Sequence, residues 1–491
     1  MSWFTAAFAA VSLAVTAAAV PGALDLPRYA FGDNGWAVRV NGLLDEGLVP
    51  TQDFAFTYGP LTLLINRAVF AVFGATPAAT GGLSLACGLL LAVGVWRLAR
   101  AMNLGVGPRL LLLLLLPIVV NAGQLPSPAH ALEPVFLVFA LAAQARGRLA
   151  EALAVCTVGV LVKPGLGYLL GAMLLIDLLS SPARRWKSLL PAVVAGAGGV
   201  ALLVAVFGLQ PVLRTQIPTE AGKVYRDQNC GLIHGDGRLF LTPEPGTELM
   251  YFTTTPAGVW VVATAVLLVG GLAAAPRWRA DRAARTVLTM AALHAAFALF
   301  FFGNRWGWTY YPFLPLVGAA LAVDRIPRWT PGDLGKLLAP VAAGVLALLA
   351  ASVSTLYVGL GTARALRVIE SVGDGSGLTT THPGFAEAWR ALEREAKSGR
   401  VFVLTRAGCP GVLLPGVESP RAWYLSRAVA VPGELDRVRA QIEACDCLVV
   451  PDWHDHDLLT WPELADAVKP FRPADDHGVF RLYRRAVSPG R

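Results

Sequence analysis

Apolar runs of 11 to 21 residues, separated by short polar segments, recur from the amino end to about residue 357. They lie at Trp3–Val20, Thr76–Trp96, Leu110–Asn121, Ala131–Ala145, Leu149–Val162, Gly165–Leu179, Leu189–Leu209, Ala257–Ala275, Thr286–Phe302, Phe313–Val323 and Leu337–Tyr357. Runs that are apolar on every side, rather than on one stripe, need a lipid solvent. With 55% apolar side chains, 15% charged ones and a mean hydropathy of +0.56, the chain is too apolar for a soluble protein of its length. It reads as a polytopic α-helical membrane protein with about 11 transmembrane helices. Several runs fall short of the roughly 20 residues that cross about 30 Å of hydrocarbon, so their ends extend into flanking polar residues or border cavities.

Charge sets the expected orientation. Positive clusters sit in alternate loops: Arg97/Arg100/Arg109, Arg146/Arg148, Arg184/Arg185/Lys187, Arg277/Arg279/Arg282/Arg285 and Arg325/Arg328/Lys336. Such loops face the cytoplasm. The opposite set is then outside, including the first loop (23–60), the long loop (210–256), the Lys163 turn and everything after Tyr357. Leu61–Phe73 carries Asn66 and Arg67 and reads as a helix lying in the interface, because a further span would invert the downstream charge pattern. Trp3–Val20 has no preceding Lys or Arg and reads as an uncleaved anchor rather than a signal peptide. The +8 net charge belongs to the membrane part: residues 1–360 hold 24 Lys/Arg against 16 Asp/Glu, and residues 361–491 hold 17 of each. The excess marks loops, and no nucleic-acid partner is implied.

After residue 360 the composition becomes that of a soluble α/β domain, 361–491, expected outside the cytoplasm. Helical patterns at Phe385–Lys397 and Glu434–Ala444 are followed by apolar runs at Val401–Leu404 and Cys447–Val450. A third helix near Pro462–Val468 leads to a strand at Val479–Tyr483, and this alternation points to a layered α/β unit with parallel strands. Cys87 and Cys156 lie in apolar runs and read as small core hydrophobes. Cys230, Cys409, Cys445 and Cys447 are placed where a disulfide is permitted, with no pairing legible. Asp452-Trp453-His454-Asp455-His456-Asp457 holds metal-ligand residue types but no second cluster, and reads as a polar loop after a strand.

The polar investment of the membrane part is concentrated in the first loop, where Asp33, Asp45, Glu46 and Asp53 crowd together. Trp36, Val40, Leu43 and Leu44 fall at helical spacing, with Gly47 placed to end the helix. Asp33 stands just before them, as a cap, a functional acid or both. Phe54, Phe56 and Tyr58 alternate between Asp53 and a Gly-Pro turn. They read as an interfacial aromatic belt, with Tyr58 also a candidate substrate contact. Asp53 among those rings needs a cation or hydrogen-bond donor to answer it. Further outer-face candidates are His130 and Glu133 in Pro-Ala-His-Ala-Leu-Glu-Pro, Lys163 in Leu-Val-Lys-Pro-Gly, and Arg214, Lys223, Arg226 and Arg238 in the long loop. Arg305 in Gly-Asn-Arg-Trp-Gly-Trp-Thr-Tyr-Tyr-Pro completes the set. Glu133 needs a partner such as His130 or an Arg, while Lys163 and Arg305 either snorkel or meet a lipid phosphate. His294, within a run, reads as a hydrogen-bonded packing residue.

An acid soon after the first helix, an amphipathic helix ending in Glu-Gly, then Pro-x-x-Asp-Phe-x-Phe-x-Tyr-Gly-Pro-Leu, resembles the first outer loop of the GT-C fold glycosyltransferases that use polyprenyl-phosphate sugars. Many short spans and an outer α/β tail are similar to the layout of the bacterial arabinosyl- and mannosyl-transferring members. The resemblance implies a GT-C-like cytoplasmic-membrane (inner-membrane) enzyme working on the outer face of the bilayer. Its donor is a polyprenyl-phosphate sugar, and its acceptor a lipid, glycan or protein. It further implies Asp33 as catalytic base and Asp53 as an acid that orients the site or a metal. Lys163, Arg226, Arg305, Glu133, His130 and Tyr58 are then substrate-binding candidates. Asn34 follows Asp33 where many relatives carry a second acid, so the resemblance leaves a divalent metal open. The competing expectation is a transporter or flippase, for which short and Gly/Pro-interrupted spans are also expected.

Overall fold

The computed structural model describes residues 3–24, 33–122, 128–180, 186–217, 256–301, 311–330, 333–366, 370–371, 379–380, 383–405, 410–421, 425, 430–451, 456–478 and 480–486. The helices of the membrane part are α1 (Trp3–Ala23), α2 (Asp33–Asp45), α3 (Leu61–Phe73), α4 (Pro77–Met102), α5 (Val106–Ala122), α6 (Pro128–Ala145) and α7 (Leu149–Val162). They continue as α8 (Leu166–Ser180), α9 (Leu190–Phe207), α10 (Leu209–Gln216), α11 (Pro256–Ala274), α12 (Arg282–Phe301), α13 (Phe313–Trp329) and α14 (Leu334–Leu366). Each of the eleven apolar runs falls on one of these, and α2, α3 and α10 are additional short helices. Among the described residues, Trp3–Val20, Pro77–Met102, Trp186–Phe207, Gly258–Arg277 and Leu334–Thr355 are long and apolar enough to cross a membrane. At about 1.5 Å per residue, α7 and α8 reach only about 22 Å, as expected for spans that border polar ground at one end.

The bundle is built around α13, in which every residue from Phe313 to Val323 is buried. A helix covered on all sides cannot be amphipathic, which is why its sequence shows no polar face until Asp324. Peripheral helices are apolar for a different reason. On α9, Leu190, Val193, Val194, Leu202 and Val206 are all more than half exposed, a surface that only lipid can cover. The arginine-rich ends are tied by polar contacts: Asp324 accepts the Gly105 amide at 3.0 Å, Arg285 pairs with Asp177, and Trp329 donates to Asp281 at 3.1 Å. His294, as expected, is a packed residue hydrogen-bonded to Thr264 at 2.8 Å. The multi-pass membrane character is thus carried by both the helices and their exposed apolar faces.

Beyond the bundle lie α15 (Pro383–Ser398), α16 (Glu434–Ala444) and α17 (Pro462–Val468), with a two-stranded ladder of β1 (Glu370–Ser371) and β2 (Thr379–Thr380). The main sheet comprises β3 (Val401–Val403), β4 (Val417–Glu418), β5 (Cys447–Pro451), β6 (Phe471–Asp476) and β7 (Phe480–Arg485), ordered β4-β3-β5-β7-β6. β4, β3 and β5 are parallel, while β7 and β6 are antiparallel. The sheet is therefore mixed, and β6 intervenes between α17 and the strand expected at Val479–Tyr483. Cys445 and Cys447 are buried free thiols, pushed up to about 12 chiefly by burial. Cys230 and Cys409 lie outside the described residues. Arg437 of α16 donates to the Asp53 carbonyl at 3.0 Å, so the sheet unit and the first loop meet at one end of the bundle.

Candidate active site

Between α2 and α3 the first loop folds as a turn followed by an extended stretch. Trp36, Val40 and Leu43 bury one face of α2, and Gly47, at φ +81°, turns the chain out of the helix. A tight turn follows: the Asp53 and Gln52 amides donate to the Val49 carbonyl at 2.9 and 3.2 Å, and Thr51 donates to the Phe54 carbonyl at 2.8 Å. The Asp53 carboxylate closes it by accepting the Val49 amide at 2.7 Å. This answers the donor expected beside Asp53, and it comes from the loop's own backbone.

Phe54, Phe56 and Tyr58 do not form an interfacial belt. All three are buried, Trp36 stacks on Phe56 at 5.4 Å, and the Tyr58 ring meets both Phe56 and His130 edge-on. The alternation that suits a belt here packs the loop into the protein, since the pockets beneath it are lined by α6, α7 and α9. At Gly59 the loop presses on the carboxyl end of α7: a Cβ there would stand 2.1 Å from the Leu161 carbonyl oxygen. Thr62 at the start of α3 donates to the Val162 carbonyl at 2.8 Å, satisfying one of the helix's terminal acceptors.

That contact delivers Lys163, the residue just past α7, into a buried polar cluster. Lys163 Nζ lies 2.9 Å from Glu133 Oε2, 2.8 Å from His130 Nδ1 and 2.9 Å from Tyr311 Oη. Tyr311 donates in turn to Glu133, and Tyr58 Oη lies 3.0 Å from His130 Nε2. A protonated lysine has only donors, so His130 Nδ1 must accept from it, which leaves Nε2 to carry the proton and donate to Tyr58. Lys163 does not snorkel, and among the described residues Glu133 pairs with Lys163 rather than with an Arg or with His130. The lysine charge is matched by the carboxylate at 2.9 Å, the pairing a buried ion needs to persist. Glu133 Oε1 is buried without a hydrogen-bond partner among the described residues.

Of the sequence candidates, Tyr58, His130, Glu133 and Lys163 thus converge, and Asp53 lies in the turn that precedes Tyr58 in the first loop. Asp33 is the first residue of α2, one turn before Trp36. Arg226 and Arg305 lie outside the described residues, as do His454 and its neighbours Asp452, Trp453 and Asp455. No group of three or more metal-ligating side chains occurs among the described residues. Two further arginines reach the turn, Arg214 from among the long-loop candidates and Arg437 without a sequence signal of its own. Arg214 of α10 donates to the Thr51 carbonyl at 3.0 Å, and Arg437 reaches Asp53 from the sheet unit.

No protein-family model matches the sequence, and no curated protein does. A solved structure does match: the crystal structure of ArnT from Cupriavidus metallidurans bound to undecaprenyl phosphate, at a TM-score of 0.51 and 15% identity, covering 98% of both chains. The fold is that of the GT-C membrane glycosyltransferases. In this chain the first loop lies against the carboxyl end of α7, and the carboxyl-terminal sheet unit meets that loop. The contacts of Gly59, Thr62 and Arg437 are the local causes of that arrangement here.

Proposed function

We propose that this chain is an integral membrane glycosyltransferase that moves a sugar from a polyprenyl-phosphate donor to a hydroxyl of a lipid, glycan or protein acceptor. The reaction takes place at the outer face of the cytoplasmic membrane. The observation that carries the reading is the convergence of the acid-bearing first loop with Tyr58, His130, Glu133, Lys163 and Tyr311 at the ends of helices in a GT-C fold. A transporter would concentrate polar groups near mid-bilayer, whereas Lys163 follows the end of α7 and Tyr311 precedes the start of α13.

In a single displacement the acceptor oxygen forms a bond to the anomeric carbon as the bond from that carbon to the phosphate oxygen breaks, inverting the configuration. The acceptor proton passes to Asp33 as general base, and the polyprenyl phosphate departs with the bonding electron pair. Asp53, whose carboxylate holds the Val49 amide, shapes the loop that carries the base. Lys163 has its charge offset by Glu133, so it organises the Tyr58, His130 and Tyr311 hydrogen-bonding groups for the departing phosphate. The net positive charge that the phosphate requires falls to Arg226 and Arg305. The sheet unit, residues 361–491, stands outside the membrane as the acceptor side of the site. Incubating the purified protein with labelled polyprenyl-phosphate sugars tests the proposal. Transfer or hydrolysis of the sugar is expected, and failure with every donor, under conditions where the protein stays folded, contradicts it.

A further inference from the structure

The turn Val49–Phe54 is strained and is held from outside. Thr51 is a β-branched residue at φ +65°, a left-handed conformation that such side chains rarely adopt. Two guanidinium groups from opposite parts of the chain grip the carbonyls around it. Arg214 Nη1, on α10 beside the bundle, meets Thr51 O at 3.0 Å, and Arg437 Nη2, on α16 of the sheet unit, meets Asp53 O at 3.0 Å. The carboxylate of Asp53 is already engaged with the Val49 amide, so the residue is fixed at both its side chain and its backbone.

α16 is itself well anchored. Val438 and Ile442 are buried, and Glu434 at its start is buried and accepts the Val431 amide at 3.1 Å. Arg437 lies one turn beyond Glu434 and interacts with it electrostatically, while its own Nε is buried without a hydrogen-bond partner among the described residues. The guanidinium's hydrogen bond thus goes to the turn and not to a carboxylate of its own helix, unlike its neighbour Arg439, which pairs with Asp436 at 2.8 Å. One apolar cluster runs from Trp36, Leu43 and Phe54 through Phe207 and Val212 to Phe402, Val438 and Leu448, joining loop and sheet unit.

We infer that Arg437 is a positioning residue, through which the sheet unit holds the Val49–Phe54 turn and hence the acid-bearing first loop in the geometry that transfer requires. The role in transfer rests on the proposed glycosyltransferase activity; the hold on the turn does not. The test uses the full chain in lipid nanodiscs, comparing the wild type with Arg437→Gln and Arg437→Lys by hydrogen exchange and by donor-sugar transfer. In R437Q the amides of Thr51, Gln52 and Asp53 are expected to exchange about tenfold faster, the change one charge-assisted hydrogen bond supports, while those of β5 keep their protection. The kcat is expected to fall about tenfold, with the KM for donor changed by no more than about twofold, and R437K to recover part of the loss. Unchanged exchange across residues 49–54 overturns the inference, and so does a loosened turn with unchanged kcat. Should R437Q disturb β5, R437K, which keeps the charge without the planar fork, is judged by the same two criteria. A wild type that transfers no sugar, together with a loosened turn in R437Q, refutes the transferase reading and upholds the hold.

Discussion

Replacing Lys163 with Met removes the only cation within hydrogen-bond distance of Glu133 among the described residues, with little change in side-chain volume. The two side chains are 9% and 1% exposed, so neither end of the pair is rescued by bulk water. Breaking one partner of a pair buried to this degree costs about 3 to 5 kcal/mol, because the remaining carboxylate is left uncompensated. Three hydrogen bonds from Nζ disappear together, to Glu133, His130 and Tyr311, so the loss belongs at the upper end of that range. A second substitution separates charge from packing: Glu133→Gln in the Lys163→Met background removes the orphaned charge and keeps an acceptor for the Tyr311 hydroxyl. The double variant is expected to regain about 2 kcal/mol relative to Lys163→Met alone. Thermal unfolding of the detergent-solubilised chain, read for all four members of the cycle, gives the order wild type, double variant, then Lys163→Met. A Lys163→Met chain as stable as the wild type, or a double variant no better than the single one, refutes the assignment of Lys163 as the internal partner of Glu133.

Glu434 supplies a pH dependence located in the sheet unit. Burial raises its carboxyl from the ordinary 4.5 to about 7, against the opposing effects of the Val431 amide and Arg437. A raised acid stabilises the fold fully below the unfolded value and loses that contribution as pH climbs from 4.5 through about 7, here roughly 3 kcal/mol. Glu434→Gln keeps the acceptor for Val431 and should flatten that part of the curve; thermal midpoints between pH 4.5 and 8 that fall with the same slope in both chains would contradict it. Gly59→Ala forces a Cβ against the Leu161 carbonyl, where backbone on both sides has to move, and is expected to cost about 1 to 3 kcal/mol and to lift the loop from α7. Cysteine-accessibility labelling at Tyr58→Cys, with and without Gly59→Ala, reads the lifting directly, and equal protection in both chains rules it out.

The helices were legible because a span apolar on every side needs no knowledge of its neighbours, and all eleven runs are helices. Gly47 could likewise be assigned as the end of α2, since the chain needs a positive φ there. β6 was not legible: five of the six residues of Phe471–Asp476 are exposed, Pro473 lies inside it, and its pairing with β7 is interrupted by a register shift between Pro473 and Asp475. An edge strand with no buried face carries no alternation to read. At the site, His130, Glu133 and Lys163 each stand out in the sequence as costly polar groups near span ends, yet their mutual pairing depends on how α6 and α7 pack. The rings of Phe54, Phe56 and Tyr58 fit a membrane belt and a buried core equally well by composition, and only burial distinguishes the two. Arg437 sits on a helix whose other arginine makes an ordinary surface ion pair, so nothing local marks it as the one that reaches across 384 positions to the first loop.

The central claim is that an acid at the start of α2 takes the proton from an acceptor while a lipid phosphate departs nearby. The most direct measurement is transfer of labelled sugar from polyprenyl-phosphate donors by the purified wild type and by Asp33→Asn, with folding and membrane insertion of both chains verified. Transfer by the wild type and a loss of at least about a hundredfold in the variant is the expected result. A folded, inserted Asp33→Asn chain that transfers sugar at the wild-type rate contradicts the account.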